Sequence, residues 1–209
     1  MAEHAACEPG PDAAFWNARF LAADTPWDRG APGPQLVAWC GSGALRPCRI
    51  AVPGCGSGWE VAELARRGFE VTAIDCAPAA CDRARARLAA EGLRAEVLRA
   101  DVLDFRPGRP FDAVYEQTCL CAIHPSSWRR YEESVAAWLR PGGTLFLMCM
   151  QAVRPGAAEG LVEGPPYHCD INAVRALFPD GRWHWPAPPY PRTDHPRGWH
   201  ELGLAVVRR

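Results

Sequence analysis

The sequence predicts an α/β fold, a doubly wound and mostly parallel sheet, on three observations. Short apolar runs alternate with helical patterns through most of the chain. The first apolar run, residues 49–52, feeds a glycine-rich turn, Gly54-Cys55-Gly56-Ser57-Gly58. The next two runs each end on an acidic residue, Asp75 and Asp101. Strands that alternate with helices need crossover connections, which is the connectivity of a parallel sheet covered on both faces.

Each element has its own signal. Residues 13–23 form a separate helical piece ahead of the sheet. Residues 49–52 are a strand running into the glycines, and residues 60–67 a helical pattern that stops at Gly68. Residues 69–74 read as the second strand. Pro78 opens an Ala/Arg-rich helix that runs to about Ala90 and closes at Gly92, with Pro at the start and Gly past the end as helix punctuation requires. Residues 95–99 are the third strand. The turn Pro107-Gly108-Arg109-Pro110 precedes a fourth at 111–115, and a helix follows over 126–139, ended by Pro141-Gly142-Gly143. Residues 144–150 are strongly apolar, as expected of a central fifth strand buried on both faces. A helix at 171–178 and an antiparallel strand within 198–207 complete the expected order.

Composition narrows the function. With 209 residues, 48% of them hydrophobic, the chain suits one domain. Its 23 basic and 24 acidic residues leave a net charge of −1, which gives no field to hold nucleic acid or an anionic membrane. Every basic residue is arginine, so lysine nucleophiles and Schiff bases are excluded. The ten cysteines contain no C-x-x-C pair, and Cys119-x-Cys121 does not match zinc spacing. No metal is expected, and the cysteines read as small core residues. The N-terminus lacks the basic and apolar regions of a signal peptide, and no run approaches the ~18 apolar residues of a membrane span. The expectation is a cytoplasmic monomer with reduced thiols that acts on a small molecule.

The glycine turn points to the ligand. Glycines at 54, 56 and 58 let backbone approach a ligand closely and leave helix N–H groups free for a carboxylate or phosphate. Asp75, 21 residues past Gly54, stands where this fold accepts ribose hydroxyls. Asp101 and Val102 end the third strand, where a carboxylate and the next N–H can meet adenine. An adenosine-type cofactor follows. The dinucleotide fingerprint G-x-G-x-x-G needs glycine where this chain has Trp59, which disfavours a nicotinamide-dependent oxidoreductase without removing it.

Further motifs carry a resemblance. Phe15-Trp16-Asn17-Ala18-Arg19-Phe20 leads to Thr25-Pro26-Trp27-Asp28-Arg29-Gly30; Val52-Pro53-Gly54-Cys55-Gly56, Phe111-Asp112, Cys121-Ala122-Ile123 with Pro125, and Gly164-Pro165-Pro166-Tyr167 follow. Together these resemble the thiopurine S-methyltransferase family, and within it the thiol, halide and thiocyanate branch. The resemblance spans about Phe15 to Phe178. It implies a Rossmann-like class I methyltransferase domain with an N-terminal helical lid at 1–45 and an α/β core at 46–209. It also implies S-adenosylmethionine as cofactor and S-adenosylhomocysteine as product. Trp16, Phe20 and Trp27 are implied to lie over the cofactor, with Gly54, Gly56, Asp75, Asp101 and Val102 around it and Glu116 and Gln117 near its methionine part or the substrate. At Phe20 family members often carry a second tryptophan.

A sulfonium is a cation, and aromatic faces attract it by roughly 0.5–2 kcal/mol while excluding water. Methyl transfer from it needs alignment and desolvation more than acid or base. The expected acceptor is a small soft nucleophile, foremost a thiol; halide, thiocyanate or an oxyanion of selenium or tellurium are alternatives. A non-catalytic module that binds S-adenosylmethionine is a further one. Tyr115, Glu116 and His124 are candidates for assisting proton removal, and Trp27, Tyr167 and His168 for contacting the acceptor.

Overall fold

The computed structural model describes residues 10–156 and 161–209. Two helices come first, α1 (Ala13–Leu21) and α2 (Pro34–Ser42). The sheet then begins with β1 (Arg49–Pro53), α3 (Trp59–Arg66), β2 (Glu70–Asp75), α4 (Pro78–Ala90) and β3 (Glu96–Arg99). β4 (Phe111–Gln117), α5 (Trp128–Trp138), β5 (Leu139–Gln151) and α6 (Ile171–Leu177) follow, and the chain closes with β6 (Trp183–His184), β7 (Arg192–Asp194) and β8 (His200–Arg208). The strand order is β3-β2-β1-β4-β5-β8-β6, with β7 also paired to β8. β1 to β5 are mutually parallel where they pair. β8 runs antiparallel to β5, β6 and β7.

Two cores form because side chains alternate across the sheet. Ala51, Ile74, Val114, Leu145 and Leu147 face α5 and α6, packing with Tyr131, Trp138 and Val174. Ile50, Val52, Ala73, Tyr115, Phe146 and Met148 face α2, α3 and α4, packing with Trp39, Leu64 and Leu88. Burial on both faces is what makes residues 145–150 uniformly apolar.

Besides adding the short strands β6 and β7, the structure departs from the sequence expectation in four places. α2 is an addition to the expected order, although Pro34 stands at its start and Gly43 closes it at φ +74°; it is held by Trp39 against Phe146 and Tyr115, a contact only the fold creates. β4 continues two residues further, to Gln117. The helix expected at 126–139 begins at Trp128, after two short 3-10 turns at Leu120–Ala122 and Pro125–Ser127. Pro141-Gly142-Gly143 does not follow the helix as a free turn but lies within β5 as a bulge, where pairing with β4 jumps from Phe111↔Leu139 to Ala113↔Thr144. A Cβ at Gly143 would meet the Arg140 and Asp112 carbonyl oxygens at 2.9 and 3.0 Å, so the bulge demands glycine there.

Candidate active site

The strand order reverses between β1 and β4, and in open α/β sheets the crevice outside the strand ends at such a point takes the ligand. A cavity of about 790 Å³ lies there. Its first end is built by the turn after β1. Gly54 adopts φ +60°, and a Cβ on it would stand 3.0 Å from the Cys119 Cβ, so bare backbone forms the wall. The Gly56 N–H donates to Asp75 Oδ2 at 2.9 Å, and the Ala77 N–H donates to Oδ1 at 2.9 Å. Asp75 is buried, and burial raises its pKa against the opposing pull of these backbone bonds. Asp101 and Val102 line the same end; one Asp101 oxygen also accepts the Leu103 N–H at 2.8 Å, tightening the turn after β3.

Helix α1 and the segment after it supply the aromatic wall. Trp27 meets Trp16 edge-on at 5.5 Å and Phe20 at 6.0 Å, and all three line the cavity. α4 has no side-chain cap of its own; Asn17 of α1 accepts the Ala79 N–H at 2.9 Å instead. Arg83 of α4 lies over the Phe20 ring and donates to its carbonyl.

The Thr25-Pro26-Trp27-Asp28-Arg29 segment clasps both halves of the site. Asp28 Oδ1 accepts from the Trp59 Nε1–H and the Gly30 N–H, each at 2.8 Å. Burial pushes the Asp28 pKa up, but hydrogen bonds from Ser57, Gly30 and Trp59, with Arg87 nearby, bring it below the usual carboxylate value. Trp59, which broke the dinucleotide pattern, is thus the anchor of this segment. Arg29 reaches the other way, to Glu201 Oε2 and the Asp194 carbonyl, both at 2.8 Å.

The second end of the cavity lies beyond β4 and β5. Cys119, Cys121, Ile123, His124, Met150, Arg154, Pro165, Pro166, His195, Arg197 and Trp199 line it. Thr118, also on the wall, has φ +61°, a strained conformation for a β-branched residue that costs on the order of 1–3 kcal/mol. His124 Nδ1 accepts the Ser126 N–H at 3.2 Å, and its ring meets Tyr167 edge-on.

Trp16, Phe20, Trp27, Gly54, Gly56, Asp75, Asp101, Val102 and His124 therefore converge on one cavity. Tyr115, Glu116, Gln117, Tyr167 and His168 are not among its lining residues. The Tyr115 hydroxyl donates to Gln117 Oε1 at 2.7 Å, and Gln117 Nε2 donates to Glu201 Oε2 at 3.0 Å. Glu116 is 1% exposed. Its Oε1 accepts the Cys119 and Leu120 N–H groups at 2.7 and 2.9 Å, whereas Oε2 has no partner among the described residues; burial raises its pKa to about 7. Tyr167 sits behind the wall, its N–H donating to the Cys121 carbonyl at 2.7 Å. Sequence reasoning missed Thr118, Met150, Arg154, His195, Arg197 and Trp199, and no local motif marks them.

The first end fits an adenosine-type sulfonium: a side-chain-free backbone wall, a buried carboxylate at the end of β2, and aromatic faces to meet a cation. Among the described residues no group of His, Cys, Asp and Glu side chains could hold a metal ion.

Comparison with known proteins agrees. The thiopurine S-methyltransferase family model matches residues 11–186. The chain is 29% identical over 170 residues to "Probable thiol methyltransferase 2" of Arabidopsis thaliana, covering 79% of this chain and 72% of that protein. It is 28% identical to thiocyanate methyltransferase 1 of the same plant, covering 78% and 70%. Thiopurine S-methyltransferase of Legionella pneumophila is 24% identical, covering 78% and 79%. In fold it is similar to a Burkholderia thailandensis 1,6-didemethyltoxoflavin N1-methyltransferase, with a TM-score of 0.73 and 19% identity over 94% of this chain and 86% of that one. The Bradyrhizobium japonicum N-methyltransferase NodS, solved with S-adenosylhomocysteine, gives 0.70 and 20% over 95% and 99%. A nicotinamide site is thereby set aside: the chain belongs to the thiopurine S-methyltransferase family and is an S-adenosylmethionine-dependent methyltransferase.

Proposed function

We propose that this enzyme methylates the sulfur of a small thiol. The observation that carries the reading is the continuity of one cavity, from the glycine turn and Asp75 to a soft wall of Cys119, Cys121, Ile123 and Met150. When bound, S-adenosylmethionine supplies an electrophilic methyl group on a sulfonium whose thioether leaves without acid assistance. The Gly54–Gly56 backbone and Asp75 hold the cofactor, Asp101 and Val102 flank its adenine, and Trp16, Phe20 and Trp27 cover the cation and keep water out. Residues 10–45 serve as a helical lid on the core that follows; residues 1–9 of the expected 1–45 lid and 157–160 of the expected 46–209 core lie outside the described residues.

The remaining candidates act mostly by position. Glu116 caps the turn that carries Cys119 and Cys121, and Gln117 ties that turn through Glu201 to Arg29. Tyr115 and Tyr167 brace the wall from behind. His124, whose Nδ1 accepts from the Ser126 N–H, stands on the wall where the acceptor would lie. No base is needed, because a thiol of pKa ~8.5 is already a few per cent thiolate at pH 7.

The reading extends to a cytoplasmic monomer with a small-molecule substrate and no nucleic acid. Support comes from the balanced charge and from nine free cysteines among the described residues, where no helix is long and apolar enough to cross a membrane. A screen with labelled S-adenosylmethionine across small thiols, thiopurines, halides, thiocyanate and selenium and tellurium oxyanions tests the acceptor. Thiols are expected to be methylated first; preference for an amine or phenol would sink the reading, and binding without turnover of any acceptor would favour a non-catalytic module.

A further inference from the structure

The second end of the cavity holds two polar groups without a partner among the described residues. His195 is 5% exposed, and its Nδ1 accepts the Arg197 N–H at 3.2 Å. Burial, helped by Arg29 and Arg197, pushes its pKa down to about 4. The ring is therefore neutral near pH 7 with its proton on Nε2, and that buried N–H has no acceptor among the described residues. Arg154, just past β5, is the second. Its Nη2 donates to the Pro165 and Pro166 carbonyls at 3.3 and 3.4 Å, while its buried Nε–H has no acceptor among the described residues.

Trp199 brings the two together. His195 stacks on it at 5.9 Å and 30°, and the Arg154 guanidinium lies 4.8 Å from its ring centroid. All three line the cavity, and from residue 118 onward no Asp or Glu among the described residues does. Buried donors are almost always satisfied in a folded protein, so two orphans on one wall of a binding cavity mark where an acceptor arrives with the ligand.

We propose that Arg154 and His195 form an anion subsite for the methyl acceptor, and that this acceptor is a thiol bearing a carboxylate, its sulfur turned toward Cys119, Ile123 and Met150. The inference rests on the thiol-methylating reading above. Two unpartnered N–H donors that share Trp199 as a neighbour suit an anion with more than one acceptor oxygen, such as a carboxylate. Donors placed on the reacting sulfur itself would stabilise its charge and blunt its attack. The carboxylate is a handle only; no bond to it forms or breaks.

The test compares 3-mercaptopropionate, its amide and thiocyanate as acceptors for the full chain, with Arg154→Met and His195→Phe as separate variants. The wild type is expected to favour the acid over the amide by at least about tenfold in kcat/KM, mainly through KM, and each variant to collapse that ratio toward one. Calorimetry of 3-(methylthio)propionate with S-adenosylhomocysteine present reads the subsite without turnover, and its affinity should fall about tenfold or more in a variant that still binds S-adenosylhomocysteine. Equal use of acid and amide by the wild type would overturn the subsite while leaving thiol methylation standing. Variants that lower both acceptors equally would overturn it too. Thiocyanate preferred over every thiol, and lost in Arg154→Met, would place the nucleophile on the donors and overturn the carboxylate. If S-adenosylhomocysteine binds but no thiol is methylated, the thiol reading falls and this inference with it.

Discussion

The two ends of the cavity are built on opposite principles. At the cofactor end the carboxylates are held by the protein: Asp75 takes the Gly56 and Ala77 N–H groups, Asp101 the Leu103 N–H, and Asp28 the Trp59 indole. At the acceptor end Arg154 and His195 retain donors, and Glu116 an oxygen beneath the wall, that have no partner among the described residues, and Thr118 has a strained backbone. The first end is pre-organised for one constant ligand. The second carries unmet polar demand, which is where selectivity for a variable ligand resides.

The sharpest way to break this contrast is to cut what joins the two ends. Arg29→Met leaves Glu201, whose side chain is fully buried, without its cation. The expected loss is about 3–5 kcal/mol of stability in urea unfolding; a loss below about 1 kcal/mol would mean that water reaches and screens the pair.

Next in size is Glu116. Its folded pKa of about 7 lies above the ordinary 4.5, so its contribution to stability is fully present below pH 4.5 and is lost as pH rises through 7. The loss amounts to about 3 kcal/mol. Glu116→Gln should remove this decline, so the variant gains on the wild type between pH 5 and pH 8 in chemical denaturation. A constant difference across that range would show that the carboxyl ionises freely.

At the cofactor end, Asp75→Ala should weaken S-adenosylhomocysteine binding by about 1–3 kcal/mol in calorimetry. Unchanged affinity would remove Asp75 from the cofactor site. The smallest effect is the most selective. Trp16→Leu should cost the sulfonium about 0.5–2 kcal/mol while barely altering affinity for the uncharged product. Equal losses for both would reduce the aromatic wall to simple packing.

Legibility in the sequence follows the same division. The glycine turn, Asp75 and Asp101 lie at strand ends within one stretch of alternating elements, so periodicity and turn chemistry locate them. The aromatic wall is legible through the Phe15–Phe20 and Thr25–Gly30 segments. Trp59 reads along the chain only as a broken glycine pattern, and nothing local pairs it with Asp28, 31 residues away. A place at the end of β4 assigns Tyr115, Glu116 and Gln117 to the site. Alternation along the strand instead turns Tyr115 toward α2 and buries Glu116 under the Cys119 turn.

By itself the sequence determined the fold class, an adenosine-type cofactor and the absence of lysine-based mechanisms, because these depend on local periodicity, glycine at fixed turns and composition; the methyl donor entered through the family resemblance carried by the Thr25–Gly30 segment. Tertiary structure alone decided the acceptor end. Arg154 comes from just past β5 and His195 and Trp199 from the turn between β7 and β8, two segments that meet only because β8 pairs antiparallel to β5 and its hairpin with β7 folds back toward the cavity. Such a site has no short-range signature, since what defines it is which donors burial leaves unsatisfied.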